Sequence, residues 1–204
     1  MKKFEASKLT KQQNYKLLSG SVIPRPIAFV TSQDDTGTLN AAPFSFFNVV
    51  NTAPPMIMIS IMREAGKRKD TSLNIELTEE FVVHITDGDT VEQINRTAAP
   101  VERSFNELEK TDLNCVSSDV VSVPGIKQAK IRLECKLERI IPLGDKEEGS
   151  DLIIGEVVMF HIDEDVYIEP HKINSIKLDA VSRLAGSNYA HLGNSFVIER
   201  PTEL

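Results

Sequence analysis

Cysteine is scarce in this chain. Only Cys115 and Cys135 occur among 204 residues, with no CxxC spacing, which argues against a disulfide framework or a zinc site and predicts free, buried thiols. Gly-x-Gly occurs nowhere, so the Rossmann fingerprint is missing, and "EAGKRKDTS" lacks the glycine spacing of a P-loop. Neither G-x-S-x-G nor H-E-x-x-H is present. The four histidines, His84, His161, His171 and His191, are scattered singly and read as surface or hydrogen-bonded core residues rather than metal ligands. No apolar run approaches the roughly 18 residues of a membrane helix, and "MKKFEASKLTKQQ" has no apolar signal core, so a cytoplasmic location is expected. A formal charge of −7 speaks against a nucleic-acid binder. Should the chain be an enzyme, these absences point away from side-chain acid–base or metal chemistry. They point towards a cofactor that does its own.

What is present is ordinary for a globular protein: 41% hydrophobic and 26% charged residues, without linker, repeat or low-complexity segment. One domain over residues 1–204 is expected. "TKQQNYKLLSG" reads as a short helix, with Thr10 and Gln13 as a capping box and Gly20 as a stop. "VIPRPIAFVTS" and "LNAAPFSFFNVV" are β-rich runs around a "QDDTG" turn, and "PMIMISIM" is a third. "DTSLNIELTEE" predicts a helix capped by Asp70 or Thr71, with Leu73 and Leu77 on its buried face. "FVVHIT" reads as a strand and "DTVEQINRTA" as a short helix capped by Asp89. In "AKIRLECKLERIIPL", Ile131, Leu133, Cys135 and Leu137 alternate with Arg132, Glu134, Lys136 and Glu138, which are expected to face water. "DLIIGEVVMFHID" is the return strand. Many strands with few short helices predict a mainly β, barrel-like domain.

Four stretches carry candidate chemistry. In "NAAPFSFFNVVNTAPPMIMIS", Ser45 and Asn48 sit among Phe44, Phe46 and Phe47, either as an awkward barrel edge or as polar groups between flat aromatic walls. Arg63, Lys67, Arg68 and Lys69 crowd the start of a predicted helix, where free amides and the Thr71 and Ser72 hydroxyls suit a phosphate; a capped helix after a solvated basic loop is the plainer alternative. Pro24 and Pro26 fix the chain around Arg25, at the head of a strand that ends in Thr31 and Ser32. "SRLAGSNYAHLG" places Arg183, Gly186 and Tyr189 in a loop.

Taken in order, "PRPIAFVTS", "LNAAPFSFFN", "PPMIMIS", "KDTSLNI", "GEVVMFHID" and "SRLAGSNYA" resemble the flavin reductase-like family of FMN-binding split barrels, from about Ser19 to Pro201. The family includes the reductase components of two-component flavin monooxygenases. The resemblance implies a Greek-key split barrel working as a homodimer, with FMN near the subunit interface. It implies that Ser45 and Asn48 bond the polar edge of the flavin ring, with Phe46 and Phe47 as apolar wall or core. It puts Lys69 and Thr71 at the phosphate, with Arg25, Thr31, Ser32 and Ser60 as further FMN neighbours. Arg183 and Tyr189 come from a loop over the pocket. Ala185 stands where the family has the first glycine of RLGG, and His84 where asparagine is common. His161 falls where a histidine often lies near the flavin, which suggests a role in positioning nicotinamide or flavin.

The reaction implied is hydride transfer from NADH or NADPH to flavin, with reduced flavin then used by oxygen or a partner monooxygenase. No protein base is needed, which agrees with the missing catalytic motifs. The alternative is a non-enzymatic FMN-binding storage or redox-sensor protein sharing the same FMN residues.

Overall fold

The computed structural model describes residues 1–201. Seven strands form its frame: β1 (Ala28–Gln33), β2 (Leu39–Phe44), β3 (Phe47–Thr52), β4 (Pro55–Met62), β5 (Glu80–Ile85), β6 (Ile131–Leu143) and β7 (Ser150–Ile162). They lie antiparallel in the order β2-β1-β5-β6-β7-β4-β3. The two edge strands, β2 and β3, are thus consecutive in the chain and joined only by Ser45 and Phe46. Such a link reaches roughly 10 Å, so the sheet has to curl until its edges approach. No ladder joins β2 to β3 among the described residues, and the barrel stays split along that line. The mainly β split barrel predicted from the sequence is the fold observed.

Four α-helices decorate it among the described residues: α1 (Lys11–Ser21), α2 (Asp70–Thr78), α3 (Val91–Arg96) and the single turn α4 (Ser175–Leu178). The Thr10–Gln13 capping box is present in both directions, but α1 runs through Gly20 to Ser21. The start of α2 differs from expectation. Lys69 is its N-cap residue, and no side chain caps it. Its buried face also differs: Thr71, Ser72, Asn74 and Ile75 are buried while Leu77 is 54% exposed. The reason is that α2 lies on β1 and β2, whose residues Ser32 and Asn40 offer polar partners. Asp89 does not cap α3 either; Asp87 accepts from the amide of Thr90 instead. No helix among the described residues is long and apolar enough to cross a membrane.

Two apolar clusters explain why β1 and β5 read as nearly continuous apolar runs. Ala28, Val30, Phe81 and Val83 point into the barrel, against Ile57, Ile59, Ile61, Ile153 and Ile75 of α2. Phe29 and Val82 point outward, under Ile94, Leu108, Val121, Val123 and Ile126. Both faces of these strands are therefore covered. Gly155 on β7 is required by a close approach, because a Cβ there would lie 2.4 Å from the Phe81 ring. Cys135 is buried and Cys115 exposed, both as free thiols, so only one of the two matches the expected burial.

The outer cover, residues 97–130, has few backbone ladders of its own and is pinned to the sheet by side chains. Thr31 donates to the carbonyl of Pro124 at 2.7 Å. His84, fully buried, bridges Phe29 O (2.8 Å) and the amide of Ile126 (2.9 Å), so Nδ1 carries the proton and Nε2 accepts. Glu134, expected to face water, is instead fully buried and accepts from the amides of Asp119, Val120 and Val121, and from His161 at 2.5 Å. Strand alternation does put Glu134 on the outer face of β6. That face is covered by chain rather than water.

Burial alone would raise the Glu134 pKa, but the bonds from Asp119, His161, Val121 and Val120 outweigh it and hold the carboxyl down at about 2. Its contribution is therefore whole above about pH 4.5 and lost as pH falls towards 2. Glu134→Gln should cost about 3 kcal/mol at neutral pH, read as a lower urea midpoint, because an amide cannot accept all four bonds. His84 titrates in a different window. Burial pushes its pKa down to about 4 from 6.5, so the unfolded chain takes up the proton first. Stability should decline between pH 6.5 and 4, by up to about 3 kcal/mol from this residue. The His84→Gln variant should show a flatter pH dependence of unfolding free energy across that window, and an unchanged slope would contradict the assignment.

Candidate functional site

An open cleft of about 470 Å³ lies beside the split, where β2, the start of α2 and the segment after α3 converge. Asn40, Ala42, Pro43 and Phe44 supply one wall, Lys69, Asp70 and Thr71 the second, and residues 97–101 with Glu107 the third. The start of α2 gives the cleft its electrostatic character. With no capping side chain, the first amides of the helix keep unmet hydrogen-bonding capacity and the positive end of its dipole. Thr71, 1% exposed, accepts from Asn40 Nδ2 at 2.8 Å. That bond occupies an acceptor site of the hydroxyl and leaves its proton free to donate. Lys69 brings an ammonium to the same end, paired with Glu64 at 2.6 Å.

The basic cluster seen in the sequence is mostly neutralised. Arg63 and Arg68 both bond Asp151, at 2.5 and 2.7 Å, and Arg68 also bonds Glu76. Lys69 is the member of that cluster that reaches the cleft, where Glu64 and Asp70 face it. The Lys69 ammonium holds the Glu64 carboxyl below its usual range. Glu107, 7% exposed, accepts from the amide of Ala41 at 2.9 Å; burial raises its pKa against that bond, and Asp70 raises it further.

The remaining candidates fall into separate groups. Ser45 and Phe46 form the link between the edge strands, where Phe46 O accepts from the amide of Ser60 on β4. Phe47 belongs to the barrel core. Asn48 is exposed on β3, and its side-chain oxygen accepts from the amide of Val49. Ser32 is buried and accepts from Asn40 and Asn74, both at 3.4 Å. Thr31 faces the outer cover through its bond to Pro124.

Arg25 and Arg183 pair across a short ladder of Arg25–Pro26 with Ser182–Arg183. Arg25 is 6% exposed and donates to the carbonyls of Ser19, Val22 and Leu184, with its guanidinium 5.9 Å from the Phe46 ring. It ties α1 and the C-terminal loop to the split. Arg183 bonds and stacks on Tyr189, and Tyr189 donates to Asn95 on α3. The loop turns at Gly186, with φ of 60°, whereas Ala185 lies outside the left-handed region and sits against Gly20. The missing glycine is therefore tolerated without backbone strain. His161 does not line the cleft; it joins Glu134 under residues 119–121. Asp119, Glu134 and His161 bring ligand-type atoms within 4.8 Å of one another, yet both Glu134 oxygens are already filled by donors.

Sequence reasoning missed Asn40, Glu107 and residues 97–101. Asn40 had a signal, an amide inside an apolar strand. Glu107 had none, since only the fold carries it to β2.

The donor set fits a flavin mononucleotide. An ammonium, a free hydroxyl proton and an uncapped helix start suit a phosphate, and the Pro43–Phe44 wall suits an apolar ring. Residues 19–176 match the family described as flavin reductase like domain. The Bacillus subtilis protein YwrF is 51% identical over 203 residues, covering 98% of each chain. Nitrilotriacetate monooxygenase component B from Bacillus cereus superposes with a TM-score of 0.94 at 50% identity, over 97% of this chain and 98% of that one. For the 2-nitrobenzoate 2-nitroreductase NbaA from Pseudomonas fluorescens the TM-score is 0.86 at 33% identity, over 100% and 98%. By its fold, its sequence match and the character of its cleft, the chain belongs to the flavin reductase-like family.

Proposed function

We propose that this protein binds FMN and transfers a hydride from NADH or NADPH to flavin, as a homodimer that supplies reduced flavin to a partner monooxygenase. One observation carries the reading: the uncapped start of α2, with Lys69 and the free Thr71 proton, opens into the same cleft as the apolar Pro43–Phe44 wall. A similar protein from Bacillus cereus is a monooxygenase component, which supports the partner. Strand β3 supports the dimer, since it is a sheet edge with Val49 and Val50 64% and 47% exposed. An exposed apolar edge of this kind suits burial against a second copy.

Bound FMN supplies the redox chemistry by accepting a hydride at its ring. The chain's residues bind and orient. Lys69 neutralises the phosphate in competition with Glu64, while Thr71, fixed by Asn40, donates its proton. Pro43 and Phe44, the apolar wall of the cleft, would shield a bound ring from water. Ser45, Asn48 and Ser60 at the split and Arg183 and Tyr189 on the C-terminal loop lie outside the cleft's lining, and would complete the flavin site together with a second subunit. No side chain has to move a proton for hydride transfer. Binding geometry is what the site must provide.

Lys69→Ala and Thr71→Ala should each weaken FMN by roughly 1–3 kcal/mol, through loss of a charge-assisted bond and a hydroxyl donor. Riboflavin, with the same ring and no phosphate, should bind almost as before. Fluorescence quenching gives both affinities, and an FMN-to-riboflavin ratio unmoved in both variants would sink the phosphate assignment. The purified protein should oxidise NADH or NADPH only when flavin is present, and should sediment as a dimer. FMN binding without turnover would favour the storage or sensor role.

A further inference from the structure

One mouth of the barrel is open and apolar. Phe160 on β7 stands opposite Leu133 on β6, and Ile162 opposite Ile131, so all four share the face that turns into the barrel. Leu133 and Ile131 are buried there, yet Phe160 is 53% exposed. Together with Ile85 and the hairpin residues Tyr167, His171 and Ile173 they enclose a hollow of about 540 Å³. Tyr167 and His171 bond each other at its rim, at 3.1 Å, which leaves the walls to carbon. Among the described residues no Lys, Arg, Asp or Glu lines it. Such a hollow offers nothing to compensate a charged ligand for lost water, so its occupant is apolar.

The C-terminal arm of the chain has the matching chemistry. After Ala190 no described residue belongs to a helix or strand, and no backbone hydrogen bond of residues 192–200 occurs among the described residues. His191 is tied to Asp179 at 2.9 Å, and residues 192–195 run beside α4. Then Phe196, Val197 and Ile198 follow in succession, 81%, 90% and 79% exposed. Side chains alternate along an extended segment, so Phe196 and Ile198 project to one side together. Contiguous apolar surface of this kind marks an interaction site.

We infer that the Phe196–Ile198 segment of each chain seats in the barrel-mouth hollow of a second copy, with Phe196 and Ile198 as its anchors. The inference rests on the homodimer proposed above and needs nothing of its flavin chemistry. Within one chain the arm and the hollow both stay in water, and a second copy covers both at once. Two-fold symmetry makes the exchange reciprocal, each chain giving one arm and receiving one. An aromatic side chain in a desolvated pocket is the kind of contact that dominates such interfaces. The arm is a contact separate from the β3 edge, and the two can be tested apart.

Sedimentation equilibrium gives the dimer dissociation constant of the full chain and its variants. Phe196→Ser and Ile198→Ser should each raise it roughly tenfold or more. Ile198→Leu should leave it within about threefold. Side chains that simply stood in water would move it in none of these. For the contact itself, Ser195→Cys and Ile173→Cys are combined in a Cys115→Ser background, because Cys115 is exposed. A short bismaleimide should give a product of twice the chain mass. Neither single-cysteine variant should give that product, and adding Phe196→Ser should abolish it. A link formed within one chain overturns the inference, since the arm then fills its own barrel. A dissociation constant unmoved in both serine variants, or no interchain product, also overturns it and leaves the β3 edge as the dimer contact. A wild type that stays monomeric at every concentration overturns the dimer and this inference together. FMN binding, measured alongside, stands or falls by itself.

Discussion

Residues 97–130 form a layer with almost no backbone ladders of its own, and the cleft depends on how that layer is held. Its amides and carbonyls need partners once buried. The sheet supplies them through side chains: Thr31 to Pro124, His84 to Ile126 and Glu134 to residues 119–121. Glu107 returns the favour, meeting the outward amide of Ala41 on the edge strand β2. With the layer fixed, residues 97–101 stand opposite the start of α2 and close the third side of the cleft. Polar contacts of this kind hold a loop to one position, whereas apolar packing alone would allow it to slide.

The second constraint is the joint between β2 and α2. Asn40 donates to Thr71, which both docks the helix and turns the hydroxyl proton away from the sheet. Along the same face of the helix, Ser32, Asn74 and Arg103 continue the polar contacts. This accounts for a buried helical face of threonine, serine and asparagine where leucine was expected. The helix start is left uncapped in the process. A side chain bonded there would compete with an incoming anion for the same amides.

The candidate residues named from the sequence thus divide by what the fold asks of them. Lys69 and Thr71 reach the cleft, whereas Thr31, Arg25 and His161 are engaged in holding the chain together. The hydrogen bonds of Arg25 reach from α1 to the C-terminal loop, and Tyr189 extends that contact to α3. The loop over the split is tied at both ends, so Ala185 in place of glycine changes little.

Strand runs, the Thr10 capping box, the turn at residues 34–37 and the mainly β class were legible in the chain itself. Local propensity and hydrogen bonding within a few residues decide them. The ordered motifs also carried the family, because they stand in chain order whatever their contacts. Tertiary structure alone decided which face of each element is covered. Alternation correctly turned Glu134 away from the barrel, yet could not reveal that residues 119–121 lie across it. In the same way, Leu77 has the spacing of a buried residue but no partner above it, while Arg63 and Arg68 are neutralised by an aspartate on a distant strand. Burial and charge pairing are properties of what approaches from far along the chain, and periodicity records only what a residue's own element does.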